Sequence, residues 1–280
     1  MSLDHKIKNL ILQKITGLNK EQLFLNPPTN PLPNKDGELY EKLVQRYNSW
    51  EPIEYIVENV NFYGLDFFVD SRVLVPRDDT EIMVEEALMQ DFDILIDVWT
   101  WSSCIPISIL KNKEEIKKCF VIDISNKALE VSKINIKKHN LENKINQVEW
   151  SLLSNFLVEN PLAPFSGGKE HLFKEKEIVI TANLPYIKDW DCENIDNETL
   201  KFEPGLALYW WEKTWFELYE RLVNQAITLK EKFKIKSIIL FIEIGFDQKK
   251  VSETFLKNLN LNFEFFKDNN TIHRCIKIFI

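Results

Sequence analysis

The stretch Ile178-Val179-Ile180-Thr181-Ala182-Asn183-Leu184-Pro185-Tyr186 sets a run of apolar residues directly before Asn-Leu-Pro-Tyr. The run reads as a buried strand, and the four residues after it as a short rigid platform at the strand's C-terminal end. Pro185 fixes its own φ and drives Leu184 into an extended conformation, so the Leu184 carbonyl and the Asn183 side-chain carbonyl can point the same way. Two acceptors of this kind suit the two N–H donors of a planar NH2 group, whose face Tyr186 would cover. The plainer reading is a strand-ending turn, since Asn and Pro are common turn residues. The stretch alone does not choose between them.

Around this strand the chain alternates. From Asp93 onward the pattern predicts strands over Ile94–Val98, Cys119–Ile124, Gln147–Trp150, Ile178–Ala182 and Ser237–Ile244. Helices are expected over Ile105–Lys111, Asn126–His139, Thr214–Phe233 and Lys249–Leu259. Such alternation implies an α/β fold with a doubly wound, mainly parallel sheet. A final pair of strands, near Phe263–Phe266 and Cys275–Ile280, is joined by the short polar loop Asp268–Thr271, so one of them should run antiparallel. Residues 159–177, with Gly167-Gly168, read as a polar surface insertion.

Before the sheet, residues 1–58 read as a small helical domain. Leu3, Ile7, Leu10, Ile11, Ile15 and Leu18 fall at helical spacing, and a second helical stretch runs from Glu38 to Ser49 after a loop rich in Pro and Asn. Residues 59–76 read as a β-hairpin linker, with β-branched and aromatic residues around a turn at Gly64. The remainder, 77–280, forms the third unit, opening on Pro76-Arg77-Asp78-Asp79-Thr80-Glu81 and a helix from Thr80 to Met89. Arg77 and Glu81, about one helical turn apart, read as an ion pair.

Composition limits the function. The formal net charge of −8 lacks the basic footprint that phosphate backbones attract, which argues against nucleic acid as the main substrate. Cys104, Cys119, Cys192 and Cys275 form no Cys-x-x-Cys pair, so neither a disulfide framework nor a metal site is expected. No signal peptide or membrane-length apolar run is visible, and a cytoplasmic, monomeric protein is expected.

In a doubly wound sheet, ligands sit beyond the carboxyl ends of the strands where the strand order switches. The first sheet strand ends in Asp97-Val98-Trp99-Thr100-Trp101-Ser102-Ser103, and the second ends in Asp123. An acidic residue some 20 positions after such a loop typically holds ribose hydroxyls. The loop itself is unexpected, because a backbone that approaches a nucleoside closely wants glycine rather than Trp. His139 and His273 read as surface residues, and Phe263, Phe265 and Phe266 as core.

Taken in order, the motifs resemble the N5-glutamine methyltransferases that modify peptide chain release factors. The likeness runs through Trp50-Glu51-Pro52-Ile53-Glu54-Tyr55-Ile56, Phe62-Tyr63-Gly64-Leu65-Asp66-Phe67, Leu74-Val75-Pro76-Arg77-Asp78-Asp79-Thr80-Glu81 and the Asp97 loop. It continues through Asp123-Ile124-Ser125, Asn183-Leu184-Pro185-Tyr186-Ile187, Glu203-Pro204-Gly205-Leu206-Ala207-Leu208 and Glu243-Ile244-Gly245. The resemblance implies a Rossmann-like class I methyltransferase fold, with the helical region recognising class I release factors. It implies S-adenosyl-L-methionine as cofactor, held by Asp97, Trp99, Thr100, Trp101, Ser102, Ser103, Asp123, Leu152 and Asn183. The catalytic platform would be Asn183, Leu184, Pro185 and Tyr186, presenting the glutamine amide of a Gly-Gly-Gln loop so that its nitrogen meets the methyl group in line. No dedicated base is evident.

Two departures stand out. The family usually has Asn-Pro-Pro-Tyr, whereas Asn-Leu-Pro-Tyr also occurs in ribosomal RNA adenine dimethyltransferases. These make N6-adenine methylation the rival activity, with a cofactor-deficient binding protein of the same fold as a third reading. The second departure is Trp50, Trp99, Trp101, Trp150, Trp210, Trp211 and Trp215, which stand where the family looks to have glycine. The chain has only 7 Gly but 8 Trp in 280 residues, where glycine is ordinarily about 7%. One account is a source that reads UGA as glycine; the other is a diverged paralogue that gained Trp.

Overall fold

The computed structural model describes residues 3–28, 32–158, 169–185, 201–205 and 216–280. Tyr186, Cys192, Gly167-Gly168, Trp190, Trp210, Trp211 and Trp215 lie outside these residues.

Four helices open the chain: α1 (His5–Thr16), α2 (Lys20–Leu25), α3 (Asn34–Asn48) and α4 (Ile53–Val57). They close over a small core of Ile11, Leu43 and Ile56, with Ile7, Ile15, Val44 and Tyr47 against it. α1 stops at Gly17, whose φ of 69° ends the helix in the left-handed region. α3 ends in a Schellman motif. The Glu51 N–H returns to the Arg46 carbonyl at 3.3 Å and the Trp50 N–H to Tyr47 at 3.0 Å. The residue at the left-handed C′ position, normally glycine, is Trp50 with φ 69°.

The hairpin is shorter than expected. β1 (Val60–Phe62) pairs with β2 (Leu65–Phe67), and Tyr63 and Gly64 make a two-residue turn with φ of 51° and 73°. Both positive values are what a type I′ turn demands. Residues 68–77 then run without strand pairing, tied down by the buried Asn135. Its carboxamide accepts from the Phe68 N–H at 2.7 Å and donates to the Phe68 carbonyl at 2.9 Å and the Ser102 carbonyl at 3.0 Å.

The expected Arg77–Glu81 pair does not form. Arg77 instead reaches Glu203 (2.6 Å), whose buried carboxylate lies far along the chain, while Glu81 accepts the Tyr63 N–H at 2.6 Å. A short 3-10 turn, Asp78–Thr80, breaks the helical spacing that would have aligned Arg77 and Glu81; α5 (Glu81–Leu88) follows it.

The sheet is built from β3 (Ile94–Val98), β4 (Lys118–Asp123), β5 (Ile145–Glu149), β6 (Glu177–Ala182), β7 (Ser237–Glu243), β8 (Asn262–Lys267) and β9 (His273–Phe279). Their order is β5-β4-β3-β6-β7-β9-β8, parallel from β5 through β7, with β9 inserted antiparallel. The helices α6 (Cys104–Asn112), α7 (Asn126–Lys138), α8 (Ser154–Leu157), α9 (Lys169–Phe173), α10 (Glu217–Phe233) and α11 (Lys249–Asn258) complete the described elements. β3 is buried along its whole length, as a central strand of a two-sided sheet must be. The large core on one face includes Phe120, Phe156, Phe173 and Phe233, whose rings meet in edge and tilted contacts. Phe173 is fully buried, so the polar segment before β6 is not wholly a surface loop. Phe263, Phe265 and Phe266 are half-buried rather than core, because β8 is the sheet's edge.

Candidate active site

The strand order reverses between β3 and β6. β4 and β5 lie to one side of β3, while the chain then crosses to place β6 on the other. Val98 and Ala182 are register partners, so the loop 99–103 and the segment Asn183-Leu184-Pro185 leave the sheet side by side. This is the crevice where open α/β sheets bind ligands.

Asp97 holds the two strand ends together. Its Oδ2 accepts from the Thr100 hydroxyl at 2.5 Å and its Oδ1 from the Thr181 hydroxyl at 2.6 Å. Burial pushes its carboxyl up to about 7, against the pull of those two hydrogen bonds and with help from Asp123. Asp123, also buried, is pushed up to about 6 by desolvation, while backbone N–H donors hold it down. Its oxygens accept the Trp101 N–H at 3.0 Å and the Ser125 N–H at 2.8 Å.

The loop is a series of left-handed turns. Trp99, Trp101 and Ser103 have φ of 64°, 49° and 62°. Ser103 is held there by a buried hydroxyl chain, 3.0 Å to Thr100 and 2.6 Å to Ser132, which in turn accepts from Gln147. Ser102 is buried beside it, and Leu152, with φ 52°, is buried at the end of β5. The indoles of Trp99 and Trp101 lie in the core, 6.1 Å apart by ring centroid, and the Trp101 Nε1 donates to the Asn183 carbonyl at 3.2 Å. That ring therefore spans the crevice from the β3 loop to the end of β6.

On the far side, Asn183 is oriented by residues to which sequence motifs assigned no role. Its Nδ2 donates to Glu243 Oε2 at 3.0 Å and lies 3.5 Å from Thr80 Oγ1, which itself donates to the same carboxylate oxygen at 2.6 Å. With the amide nitrogen committed, the Oδ1 of Asn183 is turned the other way. The Tyr219 hydroxyl lies 2.6 Å from the Glu243 carbonyl and 3.1 Å from the Leu184 carbonyl. Having one proton, it leaves the Leu184 oxygen with acceptor capacity. The signal for Glu243 was a carboxylate closing an otherwise apolar strand, Ile-Ile-Leu-Phe-Ile-Glu; Tyr219 and Thr80 carry none by themselves. Asn183, Leu184, Pro185, Asp97, Asp123 and the loop thus converge at the switch point. The two histidines stand apart from it: His139 packs on Phe67 and bonds the Asp66 carbonyl, and His273 lies 3.1 Å from the Lys249 amine.

A seven-stranded sheet of this order, with its ligand loops at the β3–β6 switch, defines a Rossmann-like methyltransferase domain. The solved catalytic domain of hMettl16 bound to a MAT2A 3′UTR hairpin shares the fold, with a TM-score of 0.55 at 13% identity over 77% of this chain and 75% of that one. Residues 7–57 match the family model for the PrmC N-terminal domain. The release factor glutamine methyltransferase of Chlorobaculum tepidum is 30% identical over 80% of this chain and 74% of its own length. That of Thermodesulfovibrio yellowstonii is 30% identical over 95% and 89%, and that of Mycoplasma mycoides 31% over 99% and 84%. The chain belongs to the release factor glutamine methyltransferase family.

Proposed function

We propose that this protein methylates the side-chain amide nitrogen of the glutamine in the Gly-Gly-Gln loop of class I peptide chain release factors, with S-adenosyl-L-methionine as donor. The observation that carries the reading is the fixed orientation of Asn183. Glu243 and Thr80 take its NH2 group, so its oxygen and that of Leu184 are the acceptors available to a substrate carboxamide. An amide nitrogen is a weak nucleophile, and holding both its N–H bonds in one plane is how a protein can direct it. Tyr186, the next residue in the chain, would cover the amide face. Residues 1–58 would recognise the release factor and 59–76 link them to the catalytic unit of 77–280, acting as a monomer in the cytoplasm. None of the described helices is long and apolar enough to cross a membrane.

The donor's place is less simple. Asp97, Thr100, Ser102, Ser103, Asp123 and Leu152 surround the expected cradle, but the Trp99 and Trp101 indoles are buried against each other there and the Trp101 indole N–H reaches across to the Asn183 carbonyl. The residues as written do not fit a nucleoside there.

The test is a labelled-methyl assay on protein purified from its native host, offering release factor, release factor with the loop glutamine replaced, and ribosomal RNA. Label is expected in the first alone. Label in the RNA would transfer support to adenine methylation.

A further inference from the structure

We infer that positions 50, 99 and 101 are glycine in the protein as its host makes it, and that the strand-end crevice is open there. The inference about the crevice rests on the methyltransferase reading; the inference about the residues does not.

Three of the four described tryptophans, Trp50, Trp99 and Trp101, have left-handed φ; Trp150 is the fourth. Only nine other non-glycine residues in the described chain share that region. A bulky aromatic is among the least suited residues for it, because Cβ crowds the following carbonyl. Each site has its own reason for glycine. Trp50 fills the C′ position of a fully formed Schellman motif, and the residue is 63% exposed, so the strained backbone gains little burial in return. Trp99 and Trp101 lie in the turn that links β3 to α6, where a close approach of backbone to a ligand requires no side chain at all.

The indoles also stand in the wrong place. The Trp101 ring bridges from the loop after β3 to the Asn183 carbonyl at the end of β6, whereas the bond to Asp123 comes from the backbone N–H of residue 101, which a glycine would keep. A chain that had abandoned its ligand would be free to lose the surrounding design as well. Instead Asp97, Asp123, Thr100 and the Glu243–Asn183 bond are all kept with their partners in place. One change accounts for strain and blockage together: removal of both side chains beyond Cα. Glycine is also scarce throughout, at 7 residues in 280. A single codon explains the shared substitution. UGA lies one base from the glycine codon GGA, and translation tables that do not treat it as a stop often read it as tryptophan. The remaining tryptophans, 150, 190, 210, 211 and 215, follow through that codon.

The test begins with the codons and the native peptides. UGA is expected at 50, 99 and 101, and peptides spanning these positions, isolated from the native host, should carry the mass of glycine. UGG codons or tryptophan masses would overturn the inference. In parallel, the chain as written and a Trp50→Gly, Trp99→Gly, Trp101→Gly chain are compared by calorimetry with S-adenosyl-L-methionine, and by circular dichroism to confirm folding. The glycine chain should bind about 100-fold more tightly or better. Equal binding would overturn the claim that the indoles close the crevice. Glycine in the native peptides with no binding by the glycine chain would leave the residue assignment standing and sink the methyl-donor reading.

Discussion

At the scale of single residues, burial sets the behaviour of the two carboxylates at the crevice. Asp97 is pushed up to about 7 and Asp123 to about 6 because the charged form loses its water. A raised carboxyl binds its proton in the folded state at a pH where the unfolded chain has already released it. Its contribution to stability is therefore complete below about pH 4 and lost as the pH rises through about 7. Denaturation of the parent and of Asp97→Asn at pH 4, 5.5 and 7.5 should show the parent losing ground steadily, by an amount on the order of a few kcal/mol across the range. A flat difference would show that Asp97 ionises freely. Glu243 is a buried acceptor serving two donors. Glu243→Ala strands the Asn183 NH2 and the Thr80 hydroxyl and should cost about 2–4 kcal/mol in urea denaturation, with Glu243→Gln much milder because its carbonyl can still accept.

At the scale of elements, the loop after β2 is held by a side chain rather than by a strand partner. Asn135, on α7, imitates one rung of a sheet by pairing with both backbone groups of Phe68, and it also caps the Ser102 carbonyl. Asn135→Leu should destabilise the protein by about 2–4 kcal/mol and speed hydrogen exchange at the Phe68 amide well before the β3 amides. Unchanged exchange at Phe68 would mean that the loop stands without it. Most elements were legible because their patterns are local. Alternating apolar strands and amphipathic helices announced the doubly wound sheet, and the Asp268–Thr271 loop announced the antiparallel strand. The Arg77–Glu81 pairing was not legible correctly, because sequence spacing assumes a continuous α-helix and the chain begins instead with a 3-10 turn. The burial of Phe173 and the half-exposure of Phe263, Phe265 and Phe266 depend on which strand lies at an edge, and local pattern does not carry that.

At the scale of the whole molecule, the helical region and the sheet differ greatly in core. Ile11, Leu43 and Ile56 are the buried centre of the first, whereas two extended apolar clusters flank the second. Small cores open more easily. Native-state hydrogen exchange should therefore find α1 and α3 opening at lower free energy than β3, β4 and β6, as a separate cooperative unit. A single common opening energy would show that the two parts unfold together.

The amino-acid sequence determined the class of fold and the family and singled out Asn183-Leu184-Pro185, because periodicity and short motifs are properties of neighbouring residues. It also exposed the tryptophans as out of place, through composition and motif alone. Only the tertiary structure decided that Trp50, Trp99 and Trp101 sit in left-handed backbone, that the Trp101 indole reaches the Asn183 carbonyl, and that Glu243, Thr80 and Tyr219 converge on Asn183 and Leu184. Those facts depend on which strand ends lie side by side, and the sheet's strand order brings Thr80 to Glu243 across 163 positions in the chain.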